Sequence, residues 1–203
     1  MFVGHLGLAY FAKSVRAEVP LLALVTAAYA PDVVRLLLTD APGREVLSHS
    51  IGAVLVLAAM SAAAWLLTAR GPRGGALALA AVCLLHWPAD VYTGCKPLLD
   101  GRSWLGFIAY RDPVLDLFVE LPILWGGWLL CRRLGLRRGL HGLWMPLVAT
   151  ALQIAFLVSL YAGSEFFIGA REWTWHPREG LFTLKRVADP ETLFCRAPVE
   201  PGT

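Results

Sequence analysis

Five apolar runs constrain this chain more than any other feature. They cover residues 19–38, 51–68, 75 to about 95, 113–131 and 145–163. Each is roughly 18–21 residues long, the length a helix needs to cross a hydrocarbon core of ~30 Å at 1.5 Å per residue. A shorter run, residues 2–12, precedes them as a thin span or half a span packed against protein. Hydrophobic residues make up 57% of the chain and charged residues 16%. Soluble domains carry roughly 25% charged residues. So much apolar surface calls for lipid as the solvent, and in lipid the backbone must satisfy itself within helices. The reading is an all-α, polytopic integral membrane bundle of about five or six spans over residues 1–163. A small polar extramembrane tail follows at 164–203, and its 181–185 segment has the pattern of a short strand.

The connections carry turn chemistry. Asp40-Ala-Pro-Gly43 separates the 19–38 run from the 51–68 run, and Gly71-Pro-Arg-Gly-Gly75 links the 51–68 run to the next. A longer loop spans 95–112, and 135–142 is a basic loop. The N-terminus lacks the basic-then-apolar order and cleavage site of a secretory signal, so Met1 is expected to be retained. Of the four cysteines, Cys83 and Cys131 fall inside apolar runs and read as small core residues. Cys95 and Cys195 are able to pair if both face an oxidising compartment.

The net charge of +3 is modest and gives no sign of nucleic-acid binding. The cations instead sit in short links: Lys13 and Arg16; Arg70 and Arg73; Arg132, Arg133, Arg137 and Arg138. These clusters lie two crossings apart and therefore on one side, which the positive-inside rule makes cytoplasmic. The tail then lies on the outer side. Trp128, Trp144, Trp173 and Trp175 read as interfacial anchors, and His141 and His176 as surface residues.

Ionisable groups at membrane depth are costly and mark function. Here they are His5, Asp32, His49, His86, Asp90, Asp116 and Glu120. With the topology set by loop cations alone, most of them converge near the outer end of the bundle. His86 and Asp90, four residues apart, share one helical face. Such a pair either ligates one metal or merely staples two helices. Pro88 between them frees the carbonyl of Leu84. His49, in Ser48-His49-Ser50, is a ligand or an interfacial residue beside capping serines. Asp32, after Pro31, joins the site or only caps a helix. His5, in Gly4-His5-Leu6-Gly7, is a ligand or an exposed terminal histidine. Taken jointly, three histidines and two carboxylates at one level are most simply explained by zinc-type ligation.

The ordered set His5, Pro31-Asp32, Ser48-His49-Ser50 and His86-x3-Asp90 with Thr93-Gly94 resembles the YdjM-like family of membrane-bound metal-dependent hydrolases over about residues 1–120. The same order looks like a reduced form of the zinc phospholipase C and single-strand nuclease superfamily. That resemblance implies a hydrolase in which a divalent metal, zinc by analogy, activates water against a phosphoester. His49, His86 and Asp90 would hold the main ion. His5 and Asp90 would share a second, and Asp32 would orient or deprotonate the water. No histidine follows Asp90 until His141, so one or two ions are expected, with Asp112, Asp116 and Glu120 as additional ligands. A site at lipid depth suits a lipid or lipid-linked substrate. Arg35 and Arg111, with Lys96 and Arg102, are candidate phosphate partners. The location expected is a bacterial inner membrane, with the site on the outer side. Two other readings stand beside this one. One is a non-enzymatic transporter or ion- or proton-binding subunit. The other is a degenerate relative whose metal is structural.

Overall fold

The computed structural model describes residues 3–38, 44–69, 72–99, 104–106, 113–133 and 142–161. The tail from 164 onward, with Cys195, His176 and the 181–185 segment, lies outside the described residues. So do Arg70, Arg102, Arg111, Asp112, Arg137, Arg138 and His141.

Three helices are long and apolar enough to cross a membrane: Ile51–Thr68, Arg73–Thr93 and Val114–Arg132. The first is α5 (Ile51–Ala64) continued by a π-helical turn at Trp65–Ala69. The second is α6 (Arg73–Thr93), which runs through Pro88. The third belongs to α7 (Pro113–Arg132). A fourth helix, α8 (Trp144–Tyr161), has a shorter apolar stretch, Trp144–Val158. Only 11% of the Ile51–Thr68 window is buried within the protein. Leu55, Val56, Met60, Phe118, Leu152 and Val158 all face outward. A helix apolar on every side suits a lipid surround.

One expected span takes another form, and the 2–12 run takes the half-span form packed against protein. Residues 19–38 are two helices, α2 (Leu21–Ala28) and α3 (Ala30–Leu37), joined at Tyr29 with φ −100° and ψ 6°. Pro31 is the physical reason: it has no N–H, and its ring clashes with the carbonyl four residues back. Both halves begin with proline chemistry, Pro20 before α2 and Pro31 in the first turn of α3. The first run forms α1 (Gly4–Val15), whose 12 residues reach about 18 Å, too short to span alone. Among the described residues, three helices therefore have the length and hydropathy of a span, α1, α2 and α3 are shorter, and the 18-residue α8 carries an apolar stretch of Trp144–Val158. A short helix, α4 (Arg44–His49), precedes α5. In the 95–112 loop, β1 (Lys96–Pro97) pairs antiparallel with β2 (Trp104–Leu105), with Lys96 opposite Leu105. The N–H of Ile51 donates to the carbonyl of Leu98 at 2.8 Å, which ties this hairpin to the start of α5.

Helix α1 lies buried against α7, and the two run parallel. Glu120 accepts from the N–H groups of Val3 (2.7 Å) and Gly4 (2.9 Å), satisfying donors at the start of α1 and placing a carboxylate at its positive end. One turn on, a Cβ on Gly7 would run into the carbonyl of Ile123, and one on Gly127 into the carbonyl of Gly7. Only glycine permits so close an approach of two backbones, as in small-residue contacts between membrane helices. At the other end Lys13 is buried, and its ammonium donates to the carbonyls of Ala17 and Val19. Arg16 lies beside Gly74, where an added Cβ would sit 2.9 Å from its Cζ. Lys13, Arg16, Arg73 and Arg132 thus gather at one end of the bundle. Cys83 and Cys131 are free and buried, as their apolar surroundings suggested, and Cys95 is disulfide-bonded.

Candidate metal centre

Three elements bring their polar residues together at the opposite end. The break at Tyr29 lets α3 turn, which carries Asp32 toward the end of α6. His49 is the last residue of α4. Ser50 behind it caps α5, its Oγ accepting from the N–H of Ala53 at 3.1 Å. The two alternatives read in Ser48-His49-Ser50 are therefore both realised: one serine caps, and the histidine enters the cluster. His86 and Asp90 project from one face of α6, as their spacing required.

Asp32, His49, His86 and Asp90 form a group able to hold a metal ion, with one ligand atom from each lying within 4.8 Å of the others. His49 Nε2 is 3.3 Å from Asp32 Oδ1 and 3.4 Å from Asp90 Oδ2. His86 Nε2 is 3.8 Å from Asp32 Oδ1 and 3.4 Å from Asp90 Oδ2. Tetrahedral ligands on bonds of ~2.1 Å stand roughly 3.4 Å apart. The separations of 3.3–3.8 Å therefore lie close to the edges of a coordination shell, and they are longer than a good hydrogen bond.

The far sides of both rings are pinned. His86 Nδ1 is 2.8 Å from the carbonyl of Ala28 and donates to it, because a carbonyl can only accept. This fixes the tautomer and turns the Nε2 lone pair into the cluster, where Nε2 is buried without a hydrogen-bond partner. His49 Nδ1 lies 2.7 Å from Ser48 Oγ. Such outer contacts orient metal-ligating histidines. Burial first, and the Lys96 ammonium next, hold the pKa of His49 below its usual range, which keeps the imidazole neutral and free to ligate. His86 and Asp90 are almost wholly buried, whereas the Asp32 side chain is 40% exposed. Asp32 marks the side on which the cluster opens.

His5 adjoins this group without belonging to it. Its Nε2 is 3.3 Å from Asp90 Oδ1, its ring packs edge-on 3.9 Å from that of His86, and it is fully buried. Asp90 thus offers one oxygen to His49 and His86 and the other to His5. Asp116 and Glu120, expected as additional ligands, lie outside the four-residue group. Glu120 caps α1, and Asp116 Oδ2 accepts from Gln153 Nε2 of α8. Arg35 sits three residues after Asp32 in the last turn of α3. Asp112 and Arg111 fall outside the described residues.

One residue of this end was missed in sequence, and another was read in one role only. Gln153 is wholly buried in an apolar run, and a scan for amides as well as charges at membrane depth finds it. Lys96 was read only as a phosphate partner in a loop. Its Nζ lies 2.9 Å from Asp90 Oδ2, a contact that no local pattern announces.

No protein-family model, curated protein or solved structure matches this chain. The chemistry of the site therefore has to be argued from the cluster itself.

Proposed function

We propose that this chain is a membrane-embedded metal-dependent hydrolase acting on a phosphoester or other ester in a lipid or lipid-linked substrate. The observation that carries the reading is His86 Nε2. It is buried, stripped of hydrogen bonds, turned inward by Ala28 and set among carboxylate oxygens at ligand–ligand distances. A buried nitrogen left so costs about 1–3 kcal/mol, a cost that a bound cation removes.

His49, His86 and Asp90 would hold the ion. A donor set of imidazoles and carboxylates fits zinc. A divalent cation there supplies Lewis acidity that makes water nucleophilic near neutral pH. Asp32, the one partly exposed member, orients that water and takes its proton. His5 steadies the second oxygen of Asp90 and stands where a second ion would bind. The basic end of the bundle, opposite the cluster, supports a cytoplasmic side for Lys13, Arg16, Arg73 and Arg132, and so an outward-facing site in a bacterial inner membrane. The resemblance to YdjM-like hydrolases agrees with this reading and adds no independent support.

The test is metal content of detergent-purified protein by mass spectrometry, wild type beside a His86→Ala, Asp90→Ala double variant, followed by a lipid phosphoester screen. One or two ions per chain, lost in the double variant, is the expected result. A wild type that takes up none after reconstitution overturns the centre. The size of the ligand group favours one second reading, a structural ion whose shell four protein ligands close. A cobalt-substituted protein whose visible spectrum ignores added azide would establish it.

A further inference from the structure

Asp116 is a wholly buried carboxyl that the proposed centre does not use. It sits in the first turn of α7, inside the apolar Val114–Arg132 stretch, where an ionisable group calls for an explanation. Glu120, also wholly buried, is four residues on and shares its helical face. Glu120 accepts from the N–H groups of Val3 and Gly4, at the positive end of α1, so the negative charge of this pair belongs there. Facing Asp116 from α8 is Gln153, again wholly buried, whose Nε2 donates to Asp116 Oδ2.

That single bond leaves two buried acceptors without a hydrogen-bond partner, Asp116 Oδ1 and Gln153 Oε1. They are the other oxygen of the same carboxyl and the oxygen of the same amide. An ionised carboxylate only accepts, so a charged Asp116 cannot satisfy Oε1. It would also be a second negative charge within hydrogen-bonding reach of Glu120, and two carboxylates so close do not both stay charged in a poorly screening interior. The helices packed here supply no compensating cation among the described residues. Helix α8 carries no charged side chain. On α1, His5 faces Asp90, and Lys13 donates to carbonyls at the far end. The amino terminus acts on Asp116 more weakly than Glu120 does. One proton on Asp116 Oδ1 removes these faults together. It removes the charge and turns Oδ1 into a donor for Gln153 Oε1, while Oδ2 goes on accepting from Nε2.

We propose that Asp116 is a proton-binding site of the folded protein, held as the neutral acid and hydrogen-bonded twice to Gln153, so that the pair latches α8 to α7. The proton is the ligand, and α8 is the element it holds. A second polar tie between the two helices, from Trp125 Nε1 to Thr150 Oγ1 at 3.1 Å, involves no titratable group and persists when the proton leaves. Loss of the proton sets a carboxylate oxygen against an amide oxygen and adds a buried charge beside Glu120, which loosens the latch. The inference does not depend on the metal centre, since Asp116 lies outside the four-residue group.

The experiment uses the full chain in detergent at neutral pH, as wild type, Asp116→Asn and Gln153→Leu. Infrared difference spectra should show one protonated-carboxyl stretch that is present in wild type and missing in Asp116→Asn, with the carboxylate bands unchanged. In Gln153→Leu the same stretch should remain and move to higher frequency, because its hydrogen bonds have gone. Asparagine has the shape of the neutral acid and makes both bonds, so Asp116→Asn should melt at the wild-type temperature. A proton held in the folded state and released on unfolding makes stability fall as pH rises, so the melting temperature of Asp116→Asn should fall less steeply with pH than that of wild type. A carboxylate band lost in Asp116→Asn in place of the acid band overturns the proposal, by showing an ionised Asp116. An acid band that does not move in Gln153→Leu overturns the latch. An Asp116→Asn protein that melts well below wild type or fails to fold also overturns it, since a neutral mimic would not then replace the native group. So does a metal content one ion lower in Asp116→Asn, which would put a cation in the place of the proton.

Discussion

Adjacent glycines on α7 should respond in opposite directions to the same substitution. At Gly127 an added Cβ would meet Gly7 of α1: its carbonyl oxygen well inside contact, its carbonyl carbon at 2.9 Å and its Cα at 3.2 Å. All three are backbone atoms, so no side chain can swing aside and the helices themselves must part. Overpacking of this kind costs about 1–3 kcal/mol. At Gly126 nothing lies within 4 Å of the added atom. There Gly→Ala gains about 0.5–1 kcal/mol from helix propensity and reduced freedom of the unfolded chain. The two variants should therefore differ by about 1.5–4 kcal/mol, the sum of a cost at one site and a gain at the next. Unfolding in mixed detergent micelles, followed by helical circular dichroism, measures this directly. The site reports it too, because α1 carries His5, which stands 3.3 Å from Asp90. Gly127→Ala should loosen zinc binding, and Gly126→Ala should not. Equal stability for the two variants would refute the parallel α1–α7 contact and, with it, the placement of His5.

Other substitutions separate the roles in the cluster. Asp32→Asn should keep at least one ion per chain yet lose hydrolysis; parallel loss of both would make Asp32 a ligand and not the base. Ser48→Ala removes the contact to His49 Nδ1 and should weaken zinc binding about 10- to 100-fold, as losses of outer-shell partners do, checked by competition with a chromogenic chelator. Gln153→Leu deprives buried Asp116 of its amide donor and should cost about 1–3 kcal/mol in the same unfolding assay, with zinc affinity unchanged because the pair lies outside the four-residue group. Removing the ion with a chelator should lower stability by about 2.7 kcal/mol relative to protein held at a hundred times the dissociation constant, visible as a drop in Tm.

Local pattern determined much of this protein. Helical runs, lipid-facing surface and the pairing of His86 with Asp90 follow from length, hydropathy and the 3.6-residue repeat, each a property of neighbours in the chain. The ordered polar residues pointed to a metal, and Asp32, His49, His86 and Asp90 do stand together. Pro31 was visible as a break, but how far it would cut a span into α2 and α3 was not, because that depends on whether the turned segment finds a polar partner. It finds His49. The tertiary structure alone decided what surrounds the site. Ala28 orients His86 from 58 positions away, and Glu120 caps a helix that begins 116 positions before it. Lys96 reaches Asp90 only because a hairpin folds back over α6. Asp116 and Glu120 share the depth of the ligands yet serve other partners, since depth is set by hydropathy along one helix, whereas direction is set by which helices pack against it. Sequence fixes which groups reach a given level of the membrane; only packing decides which of them meet.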